Sequence, residues 1–476
     1  MDNLEEKVRQ LVEEVIKNMN LNPNQGYSTL SSSNKTGIFS DLNSSVAAAK
    51  QAFKELNALT LETRAKIINN IRKTCYDNIE VLSKMAHEET GMGRTEDKII
   101  KNKLAIDKTP GLEDIEPQAF SDDNGLTIVE HAPYGVIGSI TPSTNPTATI
   151  ISNGIGMIAA GNTVVFNPHP AAKKVSCFLI NLLNKAIIEA GGPANVVTAI
   201  ENPTIESAKQ LMTHKDIAIM VVTGGPAVVK TAMNSGKKVI AAGPGNPPCV
   251  VDETADIVKA GKDIVAGASF DNNVICICEK EILVVESVAD KLKEEMKKHG
   301  AYELNESQIK KITDIIIVEP GKPGHEGVIN KDYVGKNADF IAKKTLNIDV
   351  PPSTRLLLCE VDKNHPLVWT EQLMPVMPLV RMKNVDEAID FAVECEHGFR
   401  HTAIMHSLNI AKLSKMAKAM NCSIFIKNGP SYAGLGAGGA GFTSFTIASP
   451  TGEGITRART FTRERRCTLV DYFRII

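Results

Sequence analysis

The chain has 476 residues, 43% hydrophobic and 23% charged, with a formal net charge of −2. This is enough apolar material for two or three globular domains, and the charge balance gives no footprint for nucleic acid. No apolar run reaches membrane-spanning length, so no membrane is expected, and nine cysteines without framework spacing read as reduced thiols in a cytosolic setting.

Residues 1–19 place Leu4, Val8, Leu11, Val12, Val15, Ile16 and Met19 at helical spacing, the pattern of an amphipathic helix. Segment 20–37, rich in Asn and Ser with Pro23 and Gly26, is expected to be a flexible linker. A short tethered helix cannot bury its apolar face alone, so it must dock on its own body or on a partner groove. Residues 41–107 read as mostly helical, with Val46, Ala49, Phe53 and Leu56, then Ile67, Ile68, Ile71 and Cys75, as apolar stripes. Gly91, Met92 and Gly93 break that run. Short β-like pieces follow at 126–130 and 136–140, with Pro133 between them.

From there strands and helices alternate twice. The first series has strands at 136–140, 163–166, 196–200, 217–222 and 238–242; the second has them at 277–285, 356–361, 377–382, 402–406 and 423–427. Such alternation predicts parallel, helix-covered sheets, with ligands at the carboxyl ends of the strands. Loops 141–146, 167–170, 223–226 and 243–247 are rich in Gly, Pro, Asn or Thr, which lets backbone approach a ligand closely. After the Gly-rich stretch 434–441, a β-like run carries Arg463, Arg465 and Arg466 beside Leu469, Val470 and Tyr472; the basic residues read as a solvated strand face.

Gly154-x-Gly156-x-x-Ala159 has the form of a dinucleotide fingerprint but falls inside a helical run, so it is rejected as a phosphate loop. Cys276 and Cys278 follow the polar turn 271–273 in the β-like run 274–285. Alone, two cysteines on one strand face are packing more often than chemistry. No second Cys/His pair stands at zinc-like spacing, so no metal is expected.

Other stretches change that balance. Pro142-Ser-Thr-Asn145-Pro146 is similar to Pro-Trp-Asn-Phe-Pro, and Gly161-Asn-Thr-Val-Val-Phe-Asn167-Pro168 to Gly-Asn-Thr-Val-Val-x-Lys-Pro. Phe270 stands six positions before Cys276, and Thr370-Glu-Gln-Leu-Met-Pro-Val376 is similar to Glu-Glu-Ile-Phe-Gly-Pro-Val. In this order the stretches resemble the aldehyde dehydrogenase superfamily over nearly the whole chain. The resemblance implies an α/β, aldehyde dehydrogenase-like fold: two Rossmann-like parallel-sheet domains plus a small β oligomerisation element. The implied division is a targeting helix at 1–19, a linker at 20–37, an NAD-binding domain at 38–124 and 138–242, and a catalytic domain at 243–445. Residues 125–137 and 446–476 form the oligomerisation element of a homodimer or homotetramer.

By the same resemblance Cys276 is the nucleophile. Asn145, the one amide in its loop, holds the oxyanion together with the Cys276 N–H. Thr141, Pro142, Asn167, His169, Pro170, Thr223, Gly224, Gly225 and Glu371 surround NAD. His169 is equally an ordinary loop histidine, and 223–225 equally a plain tight turn. Pro170 stands where the family carries an acidic residue, and its loss removes a repulsion against a 2′-phosphate, so NADP stays open beside NAD.

Hydrolytic members carry Glu-Leu-Gly-Gly-Lys where this chain has Ala241-Ala-Gly-Pro-Gly-Asn-Pro247. With Ala241 in place of the glutamate, a thioester on Cys276 lacks that base for hydrolysis and waits for a thiolate such as coenzyme A. Ser269-Phe-Asp-Asn-Asn, Gly452-Glu-Gly-Ile-Thr and Phe461-Thr-Arg-x-Arg-Arg-Cys467 are similar to CoA-acylating dehydrogenases of acetaldehyde, propionaldehyde and butyraldehyde. Members of bacterial microcompartments often carry an N-terminal helix like residues 1–19, which implies a bacterial cytoplasmic protein inside a microcompartment with a shell or cargo partner. His365 is a candidate for deprotonating coenzyme A. A hydrolytic or semialdehyde dehydrogenase, and a non-catalytic cargo or scaffold protein, stand as alternatives.

Overall fold

Runs of Val, Ile and Ala, punctuated by Gly- and Pro-rich loops, form two parallel sheets in the computed structural model, which describes residues 36–476. The expected helix 1–19 and most of the linker lie outside the described residues. Six strands build the first sheet: β1 (Ile38–Phe39), β4 (Val136–Thr141), β5 (Thr163–Pro168), β6 (Val197–Ile200), β7 (Ile219–Thr223) and β8 (Lys238–Ala242). Their order is β1-β6-β5-β4-β7-β8, all parallel. Every residue of β4 and β5 is buried, as expected of a sheet covered on both faces. The helix Pro146–Ala159 that follows β4 is buried along its whole length, so its apolar residues are spread round the helix rather than confined to one stripe.

The second sheet has seven parallel strands. They are β9 (Pro248–Val251), β10 (Glu281–Val285), β11 (Ala301–Glu303), β14 (Leu356–Glu360), β15 (Val376–Met382), β16 (Thr402–His406) and β17 (Ile424–Lys427), in the order β11-β14-β15-β10-β9-β16-β17. Side-chain caps fix its helices: Asp256 accepts from Lys259 N–H at the start of Ile257–Ala268, and Asn384 from Glu387 N–H at the start of Val385–Cys395. One apolar core runs through both sheets, joining Ile155 and Ile158 to Val250 and Leu283. Residues 37–476 are accordingly one compact unit.

A third, antiparallel sheet is formed by β2 (Gln118–Asp122), β3 (Gly125–Pro133) and β20 (Thr462–Val470). It moves three of the expected boundaries. The hairpin pairing of Gln118 with Val129 carries 118–122 into this sheet rather than the nucleotide domain. Val136 pairs with Thr163, so 136–137 belong to the first sheet. The hairpin of β18 (Ile447–Ala448) and β19 (Gly454–Ile455) packs against β8, so only the end of 446–476 joins the antiparallel sheet. A further two-stranded hairpin, β12 (Ile317–Glu319) and β13 (Val328–Ile329), lies between the helices Glu306–Ile316 and Ala338–Leu346; none of these, nor β9 and β11, was expected from the sequence.

The expected strand 277–285 begins only at Glu281. Residues 274–280 are turns, because side chains rather than a neighbouring strand take up their backbone groups. Asn273 Nδ2 donates to Glu279 O at 2.9 Å, and Lys280 Nζ donates to Ile275 O at 3.3 Å.

Candidate active site

The two sheets present opposite edges. In the first sheet the predicted loops leave the carboxyl ends of β4, β5 and β7, on either side of the point where strand order reverses, where doubly wound sheets hold ligands. In the second sheet the residues gather at the amino ends: Gly245 before β9, Cys276 and Lys280 before β10, Glu371 before β15 and His401 before β16. Gly245, Cys276 and His401 meet in space, and the charges of Lys280 and Glu371 act on the cysteine. A Cβ on Gly245 would stand 2.7 Å from Cys276 O and 3.0 Å from His401 Cγ, so only glycine fits there. The Gly245 N–H lies on the side of the Glu371 carboxylate, where it favours the charged form.

The loop carrying Cys276 turns through three left-handed residues, Asp271 (φ 48°), Asn272 (φ 54°) and Asn273 (φ 66°). Short polar side chains tolerate this conformation because they bond locally. Each is anchored here: Asn272 Nδ2 donates to Gly335 O (2.9 Å) and Asn337 Oδ1 (2.7 Å), and Asn273 Nδ2 to Ala268 O (2.7 Å). Lys280, fully buried, donates to Asn273 O at 3.0 Å and to Asn273 Oδ1, closing the loop from inside. Of residues 271–280, Cys276 alone is not buried. Cys278 is buried with its Sγ against Phe270 O at 3.8 Å, which is the packing role expected of it.

Burial pushes the Cys276 thiol up to about 12 and Glu371 pushes the same way, while Lys280, the cysteine's own N–H and Lys101 pull it down. Burial also raises the Glu371 carboxyl to about 7. His401 is fully buried, held by burial and the nearby Lys280 at about 3 and therefore neutral, with Nδ1 on Thr402 Oγ1 at 2.8 Å.

Asn145 is the N-cap residue of Pro146–Ala159 and is buried, yet its side chain makes no cap bond. Its Oδ1 accepts from Lys101 Nζ at 2.6 Å, and its Nδ2 donates to Thr144 Oγ1 at 3.2 Å. Lys101 also donates to Asp271 Oδ2, which takes Lys98 Nζ at 3.0 Å. Asp271 Oδ1 accepts Arg94 N–H at 2.7 Å. Sequence reasoning missed this cluster. Its signal is the buried face of the helix Thr95–Lys108, where Asp97, Lys98, Lys101 and Asn102 occupy positions that the helical period assigns to apolar residues.

On the nucleotide side, Thr141 is buried at the end of β4 and its Oγ1 has no hydrogen-bond partner among the described residues. Pro142 is half-buried in the loop that follows. Asn167 Oδ1 accepts from Ser207 Oγ at 2.6 Å. His169 and Pro170 are exposed; His169 Nδ1 accepts Ala171 N–H at 3.1 Å, and partial burial with the Lys331 charge lowers the pKa of the ring. Thr223 Oγ1 bonds Thr446 Oγ1 at 2.8 Å, Gly224 N–H bonds Ala242 O at 3.3 Å, and a side chain at Gly225 would meet nothing within 4 Å. Ala241 is fully buried, and its N–H is bonded to Thr451 Oγ1 at 3.0 Å. His365 is a correction. It lines a cleft of about 820 Å³ with Val361, Arg381 and Met382, at the carboxyl edge of the second sheet, whereas Cys276 is at the amino edge. The length of a strand separates it from the coenzyme A chemistry proposed for it.

The chain is 50% identical to an acetylating acetaldehyde dehydrogenase of Bilophila wadsworthia, over 100% of both chains. The solved propionaldehyde dehydrogenase of Rhodopseudomonas palustris, with bound CoA and an acylated cysteine, is 49% identical with a TM-score of 0.89, over 91% of this chain and 98% of that one. A propionaldehyde dehydrogenase from the Clostridium phytofermentans fucose utilisation bacterial microcompartment is 48% identical with a TM-score of 0.89, over 93% of this chain and 100% of that one. The model of the aldehyde dehydrogenase family matches residues 19–446, and the chain belongs to that family.

Proposed function

We infer that this protein oxidises a short-chain aldehyde, acetaldehyde or propionaldehyde, with a nicotinamide dinucleotide and coenzyme A to the acyl-CoA, reversibly, through a thioester on Cys276. The observation that carries this reading is a mostly buried cysteine, the one residue of its loop that is not fully enclosed, at a charge-bearing edge, with Ala241 where a hydrolytic base would stand. The residues fit the dinucleotide: among the described residues Thr141 Oγ1 is unpartnered at a strand end and the space over Gly225 is open, and Glu371 has carboxylate capacity for ribose hydroxyls. Asn167, His169 and Pro142 border the same loops. When bound, the dinucleotide supplies the hydride acceptor. NAD is the acceptor proposed first and NADP the second, because Pro170 brings no negative charge against a 2′-phosphate.

Cys276 Sγ adds to the aldehyde carbon as its proton leaves. Asn145 Nδ2 and the Cys276 N–H hold the oxygen that becomes negative; a donor of this kind contributes about 3–4 kcal/mol when aimed at developing charge. The carbonyl re-forms as hydride departs, leaving the acyl group on sulphur. The thiolate of coenzyme A then displaces Cys276, which recovers its proton. A thiol held near 12 is protonated at neutral pH, so Lys101 and Lys280 matter by favouring the thiolate once substrate arrives.

The exposed strands β2 and β20 are proposed to pair subunits into a homodimer or homotetramer, since unpaired edges need covering. Residues 1–19 are proposed to carry the protein to a microcompartment shell or to other cargo within the bacterial cytoplasm. The deciding assay is NADH formation from acetaldehyde, propionaldehyde and butyraldehyde with and without coenzyme A. Turnover that needs coenzyme A is the expected result. Free acid formed without it would make the enzyme hydrolytic, and no NADH with any aldehyde would favour a scaffold.

A further inference from the structure

We propose that Lys101 is a positioning residue that fixes which way the Asn145 carboxamide faces and delivers a positive charge to Cys276. This rests on the roles of Asn145 and Cys276 given above. An ammonium only donates, so Lys101 Nζ at 2.6 Å must address Asn145 Oδ1. The amide nitrogen is thereby turned the other way, and it makes one bond among the described residues, to Thr144. The second N–H is left for the substrate oxygen. Without Lys101 the carboxamide can flip and present an acceptor lone pair to the oxyanion instead.

The other end of Lys101 is equally fixed. Asp271, which accepts from it, stands five residues before Cys276 on the nucleophile loop and is clamped by Arg94 N–H and Lys98. A Cβ at Gly93 (φ 69°) would fall 2.0 Å from Asp271 Oδ1, so the carboxylate is held against backbone that only glycine allows. Lys101 thus ties the loop that stabilises the oxyanion to the loop that carries the sulphur. Lys98 and Lys101 share the single carboxylate of Asp271, while Asp97 is paired with Arg355 and Arg94 and Arg94 also with Glu96, so four cations face three carboxylates and the cluster keeps one positive charge in excess. Packing does not call for such an arrangement, because apolar side chains of similar volume fill a buried helix face at lower cost. The charge acts on the thiol: Lys101 draws the Cys276 pKa down, and its repulsion adds to burial in lowering Lys98 to about 8.

The test compares Lys101→Met, Lys101→Gln, Lys101→Arg and Lys98→Met in the full-length enzyme, each checked for native circular dichroism. Lys101→Met is expected to lower kcat roughly 100-fold with KM for aldehyde nearly unchanged. It is also expected to slow iodoacetamide alkylation of the Cys276 peptide at pH 8 about tenfold. Lys101→Gln keeps a donor without charge, so it recovers kcat more than alkylation; Lys101→Arg recovers both. Lys98→Met, which touches Asp271 but not Asn145, costs less than Lys101→Met. In an Asn145→Ala background, Lys101→Met adds no more than its effect on alkylation, about tenfold. A folded Lys101→Met with wild-type kcat, an unchanged alkylation profile, or the whole 100-fold loss persisting in Asn145→Ala overturns the proposal. If Lys101→Met fails to fold, Lys101→Gln carries the same comparisons. Wild-type activity in Asn145→Ala itself would instead sink the assignment of Asn145, a separate failure.

Discussion

The two parallel sheets solve the problem of holding a reaction in opposite ways. The first offers the loops that leave its strands, made of Thr, Pro and Gly, so that backbone and small side chains meet a ligand at the carboxyl edge. The second uses the segments that enter its strands, and it brings buried charge: Glu279, Lys280 and Glu281 in a row at the start of β10, with His401 and Glu371 at the same edge. The first edge chiefly binds and the second chiefly reacts, while the first also lends Asn145 to the oxyanion and the second lends Glu371 to the ribose. Substitutions at the two edges should therefore separate in kinetics, with KM for the dinucleotide responding at one and kcat at the other.

The largest effect is expected at the nucleophile. Cys276→Ala should reduce CoA-dependent NADH formation at least ~10⁴-fold, by analogy with removal of other covalent nucleophiles. Cys278→Ala should cost less than about tenfold, because that thiol only packs against Phe270. Similar losses from both would erase the distinction between them. At the other edge, Gly225→Ala puts a methyl into space that the protein leaves open. The expected outcome is a KM for NAD raised roughly tenfold, about 1.4 kcal/mol, with kcat within about twofold. A loss confined to kcat would contradict the division between the edges.

Buried charge at the reacting edge also has a stability cost. Glu279 is buried with Oε2 unpartnered among the described residues, and burial raises its carboxyl from 4.5 to about 7. Between those values the folded state binds more protons than the unfolded state, so folding loses stability as pH rises from about 4.5 to 7. Glu279→Gln is expected to stabilise the protein at pH 8 by on the order of 1–3 kcal/mol, and to lose that gain by pH 4. Urea unfolding at the two pH values checks it; an equal gain at both would show that charge is not the cause. The smallest effect is expected at His365, on the carboxyl edge of the second sheet. His365→Ala should leave kcat and KM for coenzyme A within about twofold. A large rise in KM for coenzyme A would bring the cleft around His365 back into the reaction.

The same contrast decides what could be read without a structure. Loops at the carboxyl ends of β4, β5 and β7 are legible because Gly, Pro, Asn and Thr after an apolar run mark both the turn and the close approach. Strands such as 238–242 and 402–406 and the helices 385–395 and 410–420 match the structure because their periods are unbroken. Cys276 was legible only through resemblance, since periodicity placed it on a strand that begins five residues later. The reason is local: Asn273 and Lys280 capture carbonyls that a ladder would have used. Lys98 and Lys101 were passed over because charges on a helix ordinarily face water. Only the burial of their whole face shows that they belong to the interior, and no spacing rule encodes which carboxylate awaits them. His365 went astray for a related reason. Six residues separate it from Glu371 in sequence, but the connection between β14 and β15 crosses the sheet in that interval and sets them at opposite edges.

The central claim is that the acyl group rests on Cys276 until coenzyme A takes it. Enzyme mixed with NAD and propionaldehyde, without coenzyme A, should release one NADH per subunit in a burst and then stop. The Cys276 peptide should carry a propionyl group, and later addition of coenzyme A should release propionyl-CoA and restore steady turnover. Continuous NADH formation with accumulation of propionate in the absence of coenzyme A, or a propionyl group found on Cys278 instead, would contradict the account.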